Sequence, residues 1–393
     1  MRTGTLSDVA DIFNGKTPSK IEQRSVGFPV LKIKDIDENG QFRGEFESFV
    51  DNSLANKFHE KVTKEFDVLL LNAAHNSDYV GSKNCIVTKE FSGSLATGEW
   101  SVIRTKYDKA EPKYIYFYIN SLYGKREIRS IVKGIHLYPK DLNRLKITIP
   151  SVSEQKEIVK ILDQADALRQ KRKQAIDLLD EYIKSVFLEM FGDPVANPKG
   201  WKKVKLKDLC TEIADIDHNM PKATEDGYPF ISAKDLMDDG TISFENIKYI
   251  SEKDFLRLSR KIKPQKGDII YSRIGAKLGK ARIVEVDFDF LASYSCCTIR
   301  PIDTKINKVF LNHVLNTPSL LRQAHNDVRA IGVPDLGMDK IRAFEIIVPP
   351  VNLQLKFVEL ASNAKNLKQK MLMQSGELDN QFQALMQKSF NSN

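Results

Sequence analysis

Residues able to do chemistry are spread along this 393-residue chain, and most fail a spacing test. In GAKLGKA (275–281) two glycines precede a lysine as in a phosphate-binding loop. They sit one residue too close, and Ala281 stands where a metal-holding Ser or Thr is required. No GxGxxG run offers backbone to a dinucleotide or methyl donor. His59 and Glu60 lack a second histidine one helical turn on, so they do not form a zinc-hydrolase helix. Cys85, Cys210, Cys296 and Cys297 show neither zinc-ligand nor disulfide spacing. The adjacent pair falls in an expected strand, where the two side chains point to opposite faces and fill core. Asp67 and Asp268 open equivalent strands and read as turn aspartates rather than metal ligands. His75, His136, His218, His313 and His325 stand apart from one another. No complete catalytic or metal-binding motif emerges from these spacings, and pattern alone leaves a nuclease carboxylate cluster open.

Binding chemistry fares better. In SRIGAKLGKAR (272–282), Ser272, Arg273, Lys277, Lys280 and Arg282 lie among glycines that let backbone approach a phosphate. The corresponding stretch NAAHNSDYVGSK (72–83) supplies Asn72, His75, Asn76, Ser77 and Lys83, donors and acceptors suited to base edges. Two further segments at matching places offer Lys16, Thr17 and Lys20 (14–20) and His218, Asn219 and Lys222 (218–223). Each residue alone has a plainer reading as solvated loop; as a group they are candidate DNA contacts. Sixty Lys and Arg against 52 Asp and Glu give +8. Residues 1–150 hold 23 basic and 19 acidic side chains and residues 199–349 hold 25 and 21, so each of these segments is +4. Two basic segments suit a polyanion partner.

The elements that must position these loops are written twice. GFPVLKIKDIDENG (27–40) aligns with GYPFISAKDLMDDG (227–240), and ITIPSVSEQKEIVKILDQADALRQK (147–171) aligns with IIVPPVNLQLKFVELASNAKNLKQK (346–370). Between these windows, about 41–146 and 241–345, identity largely disappears while length is nearly kept. Short β-branched and aromatic runs there predict strands, with a few short helices. After Pro150 and Pro350 the pattern turns helical and proline-free. Ile158, Ile161, Ala165, Leu168, Arg172, Ala175, Leu179, Tyr182, Val186 and Met190 step 3-4-3-4, predicting a coiled-coil seam. The second copy gives Phe357, Leu360, Ala364, Leu367, Met371, Gln374, Leu378, Gln381 and Leu385. This partitions the chain into 1–150, a helix over 151–192, a linker over 193–198, 199–349, and a helix over 350–390. With 41% apolar residues, no apolar run near the roughly 18 residues of a membrane span, no secretory leader and unpatterned cysteines, the expected setting is a reducing cytoplasm without membrane contact.

On these residues the chain resembles the specificity subunit of type I restriction-modification systems. The resemblance rests on the helix entry Ile149 to Asp163, its counterpart Pro349 to Leu360, the strand and loop GDIIYSRIG, and their ordered duplication. It implies an α+β fold: two globular target-recognition domains separated by an antiparallel coiled coil of two long helices, with an internal pseudo-twofold repeat. It also implies a non-catalytic subunit that binds double-stranded DNA and reads a bipartite target, one half-site per domain. The implied partners are two methyltransferase subunits and, in the full complex, restriction motor-nuclease subunits. S-adenosylmethionine, ATP and Mg would reside only on those partners. The alternative is a DNA nuclease or methyltransferase with an unrecognised active site.

Overall fold

A computed structural model describes residues 2–326 and 334–390. It is mixed α and β, and it divides into two compact units: residues 1–175 with 371–393, and residues 176–370.

In unit 1 a four-stranded antiparallel sheet has the order Ala10–Asn14, Trp100–Thr105, Val68–Leu71, Asn84–Ile86. Val68 to Leu71 are buried on both faces, which is why this stretch reads as a continuous apolar run rather than an alternating one. A smaller sheet orders Gln23–Arg24, Phe49–Val50, Phe28–Leu31 and Leu95–Ala96, the last pair parallel. Arg2–Thr5 pairs with Lys146–Ile149. Unit 2 repeats the plan with Cys210–Ala214, Cys296–Pro301, Ile269–Ser272 and Ala281–Ile283, and Lys203–Lys205 pairs with Glu345–Ile347.

The repeated polar residues explain why the frame is duplicated. Asp67 accepts from Arg104 Nε and Nη2 at 3.0 and 2.7 Å, and Asp268 accepts from Arg300 at 3.0 and 2.9 Å. Each aspartate also accepts the backbone N–H three residues before it. Both are turn aspartates locked to the central strand. Gln155 and Gln354, fully buried, do the equivalent work at the helix entries. Gln155 accepts from Glu111 N at 2.9 Å and donates to the Pro150 carbonyl; Gln354 accepts from Asn307 N at 3.0 Å and donates to the Pro349 carbonyl. Each glutamine ties a long helix to the cap of the short helix following the central strand.

The long helices run Val152–Phe191 and Val351–Phe390, about 60 Å each at 1.5 Å per residue. Their segments are antiparallel within each unit. In unit 1 Arg169 pairs with Asp379 at 2.6 Å and Arg172 with Gln374 at 2.8 Å. In unit 2 Asp180 pairs with Lys368 at 2.6 Å, and the Phe187 ring meets Phe357. The helix ends are core. Phe382, Met386 and Phe390 pack with Tyr114, Phe117 and Tyr118 in unit 1. Phe187 and Phe191 pack with Phe310 and Phe357 in unit 2.

The expected seam is displaced. On the first helix the buried positions are Gln155, Val159, Leu162, Ile176, Phe187 and Phe191. Every one lies a residue away from the expected stripe or outside it. Ile161, Leu168 and Tyr182 are about half exposed, at 50%, 49% and 51%. Ile158, Ala165, Leu179 and Val186 are only half-buried. On the second helix Phe357 and Ala364 are buried, and Leu360, Met371, Leu378 and Leu385 half-buried; Leu367 is exposed, and burial falls instead on Ala361, Phe382 and Met386. The cause is that each helix carries apolar residues on two adjacent faces. Burial follows the domain that each segment packs against, while charged pairs such as Arg169 with Asp379 occupy the middle of the helix contact. A strict heptad rule cannot register either.

Candidate nucleic-acid interface

Strand register gathers the candidate loops at one edge of each four-stranded sheet. In unit 1 Asn14 pairs with Ser101, Leu71 with Trp100 and Leu70 with Asn84. Segments 15–22, 72–83 and 96–99 therefore leave the same edge. In unit 2 Ala214 pairs with Thr298, Ser272 with Cys296 and Tyr271 with Ala281, placing 215–223, 273–280 and 293–295 together.

Burial then separates residues that can reach a ligand from residues that hold the loops. Arg273, expected to read a base, is 5% exposed. Its guanidinium donates to the Leu336 and Tyr294 carbonyls at 3.2 and 2.9 Å and to Asp335 at 3.0 Å, so three of its five N–H groups are spent inside the loop and burial keeps the rest from a guanine edge. Arg282, 7% exposed, is spent on the carbonyls of Met237 and Ala281 and on Asn316; burial draws its pKa below the ordinary guanidinium value. Ser272 is fully buried, accepting from Lys280 N. Asn72 is buried and donates to the Gly98 carbonyl at 2.9 Å. These four correct the sequence expectation. A turn that must place backbone beside phosphate needs internal hydrogen bonds, and the polar residues supply them.

Other candidates stand between these extremes. Lys83 is half-buried and donates to the Ile33 carbonyl and Glu38. Lys277 donates to the Lys234 carbonyl at 3.0 Å, and Lys280 pairs with Asp238. Thr17 accepts from Gly98 N at 2.8 Å and donates to Glu99, bracing one loop on another. The Lys16 ammonium sits 5.2 Å from the Phe58 ring centroid. Exposed at the edge are Lys20, His75, Asn76 and Ser77 in unit 1, and His218, Asn219 and Lys222 in unit 2. Asn76 also caps the turn at Asp78.

The structure adds residues that no motif marked. Lys133 and His136 close a tight hairpin bridged to Ala73, carrying exposed Ile135 and Tyr138 to the edge of unit 1. Gly134, with φ of 60°, was its one turn signal. Lys57 and Lys61 join Lys16 around Phe58 and Phe13. In unit 2 Lys261 reaches Asp215 at 3.0 Å. Burial alone would raise the Asp215 carboxyl; hydrogen bonds from Lys261 and His218 and the charges of Lys261 and Arg273 hold it below the usual range.

Burial pushes the Cys85, Cys210 and Cys296 thiols up to about 12, so none is a thiolate near neutrality, and all four cysteines are free and buried. Among the described residues no His, Cys, Asp and Glu cluster could hold a metal, and no helix is long and apolar enough to cross a membrane.

Comparison with known proteins gives the family and the fold. A family model described as the type I restriction modification DNA specificity domain matches residues 1–178 and again 198–371. The MjaVIII type I restriction enzyme specificity subunit of Methanocaldococcus jannaschii is 21% identical over 348 residues, covering 81% of this chain and 78% of that protein. Among solved structures, a chain from work on complex assembly and conformational transition of a type I R-M system superposes with a TM-score of 0.62. It shows 17% identity, over 99% of this chain and 97% of that one. The S subunit of a type I restriction-modification system from M. genitalium superposes with a TM-score of 0.55 and 13% identity, covering 100% and 96%.

Proposed function

Because the chain belongs to the type I restriction-modification DNA specificity family, we propose that it is the subunit that chooses the DNA sequence, reading one half-site with each loop edge. The observation that carries this is the repeat itself. Two sheets of identical strand order present loops of different sequence from the same edge. A shared frame with unlike readers suits two unlike short sequences on one duplex. Exposed Lys20 and Lys222 supply charge for phosphate, and His75, Asn76, Ser77 and Asn219 supply donors and acceptors for base edges.

In this reading the long helices act as a spacer and as the docking site for two methyltransferase subunits. Support comes from exposed apolar side chains on their outer faces: Ile161, Leu168 and Met373 in unit 1, and Leu178, Tyr182 and Leu355 in unit 2. Exposed apolar side chains mark a partner surface where they form a contiguous patch. Restriction subunits would join the same assembly. S-adenosylmethionine, ATP and Mg belong to those partners, and this chain performs no bond-breaking step.

The test is to co-express the chain with its cognate methyltransferase and map modified bases across a genome. The expected result is two short defined blocks separated by an undefined gap of constant length. Methylation without sequence preference, or metal-dependent cleavage by the isolated chain, would overturn the reading.

A further inference from the structure

Unit 2 contains a charged network with no counterpart among the described residues of unit 1. Asp215, buried just beyond the strand Cys210–Ala214, lies 3.0 Å from Lys261 Nζ, 3.3 Å from His218 Nε2 and 3.5 Å from the Arg273 guanidinium. Arg273 also reaches Asp335 at 3.0 Å. Two carboxylates and two cations cancel, so the charge of the site is set by His218. That side chain is 64% exposed, and its ring stacks on Tyr294 with centroids 4.8 Å apart and planes 30° apart. A carboxylate below and an arene beside it fix the imidazole at the sheet edge.

The chemistry of the free nitrogen follows. An ionised carboxylate only accepts, so Nε2 carries the proton that faces Asp215 and Nδ1 is the unused atom. On the neutral ring Nδ1 is an acceptor and repels another acceptor. On the protonated ring it is a charged donor. A phosphate oxygen, always an acceptor, matches only the second state.

We propose that His218 is a proton-dependent contact to a DNA backbone phosphate in the half-site read by unit 2, with Asp215 as its positioning residue. The inference rests on the DNA-reading function above. The groups touching the ring are Asp215 and Tyr294; Lys261 and Arg273 act on it through Asp215, and Asp335 through Arg273; Asp217 and Lys222 are the nearby exposed charges in its own loop. Unit 1 cannot build the same device. Gly15 stands in the place of Asp215, where a Cβ would collide with the Ala96 carbonyl, and Pro18 stands in the place of His218.

The experiment uses the full complex of this chain with its methyltransferase subunits and duplexes carrying the mapped target. Affinity is measured at constant ionic strength from about pH 5.5 to about pH 8. Wild type should bind about tenfold more tightly at the acid end, the scale of one charged hydrogen bond. His218→Asn, at an exposed position, should be flat with pH and lose affinity equally for the target and for duplexes altered in the unit 2 half-site. Asp215→Asn should shrink the pH effect while leaving base preference unchanged. Retention of the wild-type pH profile by His218→Asn overturns the assignment, and a changed base preference in that variant overturns the phosphate contact. If wild type binds all sequences alike, the DNA-reading function itself fails. That result is distinct from a sequence-specific complex indifferent to His218.

Discussion

Arg273 shows how burial converts an apparent reader into a scaffold. Its guanidinium closes the loop onto Tyr294, Leu336 and Asp335. Arg273→Ala leaves buried carbonyls and Asp215 short of a donor, so unit 2 should lose about 2–4 kcal/mol of stability. A urea melt checks this, and base preference of any folded complex should be unchanged. A normal melt with relaxed specificity would return Arg273 to the reading surface. His313 carries a separate acid sensitivity. It is half-buried edge-on against Phe357, and loss of hydration lowers its pKa to about 4, against about 6.5 for a free imidazole. Between those values the unfolded chain binds more proton than the folded one. Stability from this group is therefore complete above about pH 6.5 and is lost as pH falls toward 4, up to about 3 kcal/mol. Urea midpoints at about pH 5 and pH 7 should differ in wild type, and the difference should shrink in His313→Gln. An equal difference in both would assign the sensitivity to another group.

At the scale of elements the helices answer to two demands, continuity along forty residues and burial at each end. Gly376 meets neither. It lies within the second helix, and a Cβ built there has nothing within 4 Å. Gly376→Ala should stabilise by about 0.5–1 kcal/mol through helix propensity and a less flexible unfolded chain, read as a rise in thermal midpoint. Phe390 meets the second demand. It is buried against Tyr114 and Tyr118 at the last turn of its helix. Phe390→Ala should cost about 3–5 kcal/mol, visible as lost protection of the helix Pro112–Asn120 in hydrogen exchange. A helix end that tolerated this truncation would be an appendage rather than core.

For the whole molecule, the consequence is that the natural module of exchange is not a contiguous segment. Unit 1 is built from residues 1–175 together with 371–393. Swapping residues 1–150 alone for those of a relative sets a foreign core against Phe382, Met386 and Phe390. Swapping both segments from the same donor keeps the packing matched. The second chimera should melt higher than the first, and both should change one half-site only when methylation is mapped. Equal melting would mean that the helix ends repack freely, and altered reading of both half-sites would contradict independent readers.

Much of this was legible in the chain. The duplication announces two copies of one frame, because Asp67 and Asp268, and Gln155 and Gln354, hold equivalent backbone and cannot change without unpaired buried polar groups. The long helices follow from proline-free periodicity. Tertiary structure alone decided which side of each helix is buried, since Val159 and Ile158 are both apolar neighbours and only the packed domain selects between them. It alone separated Arg273 from His218. Both are polar residues in glycine- or proline-marked loops, and their difference lies in burial and in partners from distant segments: Leu336 and Asp335 consume the Arg273 guanidinium, while His218, held by its neighbour Asp215 and by the distant Tyr294, keeps one ring face and one nitrogen open. Local pattern records what a residue can donate or accept; only the folded neighbourhood determines whether that capacity is already used.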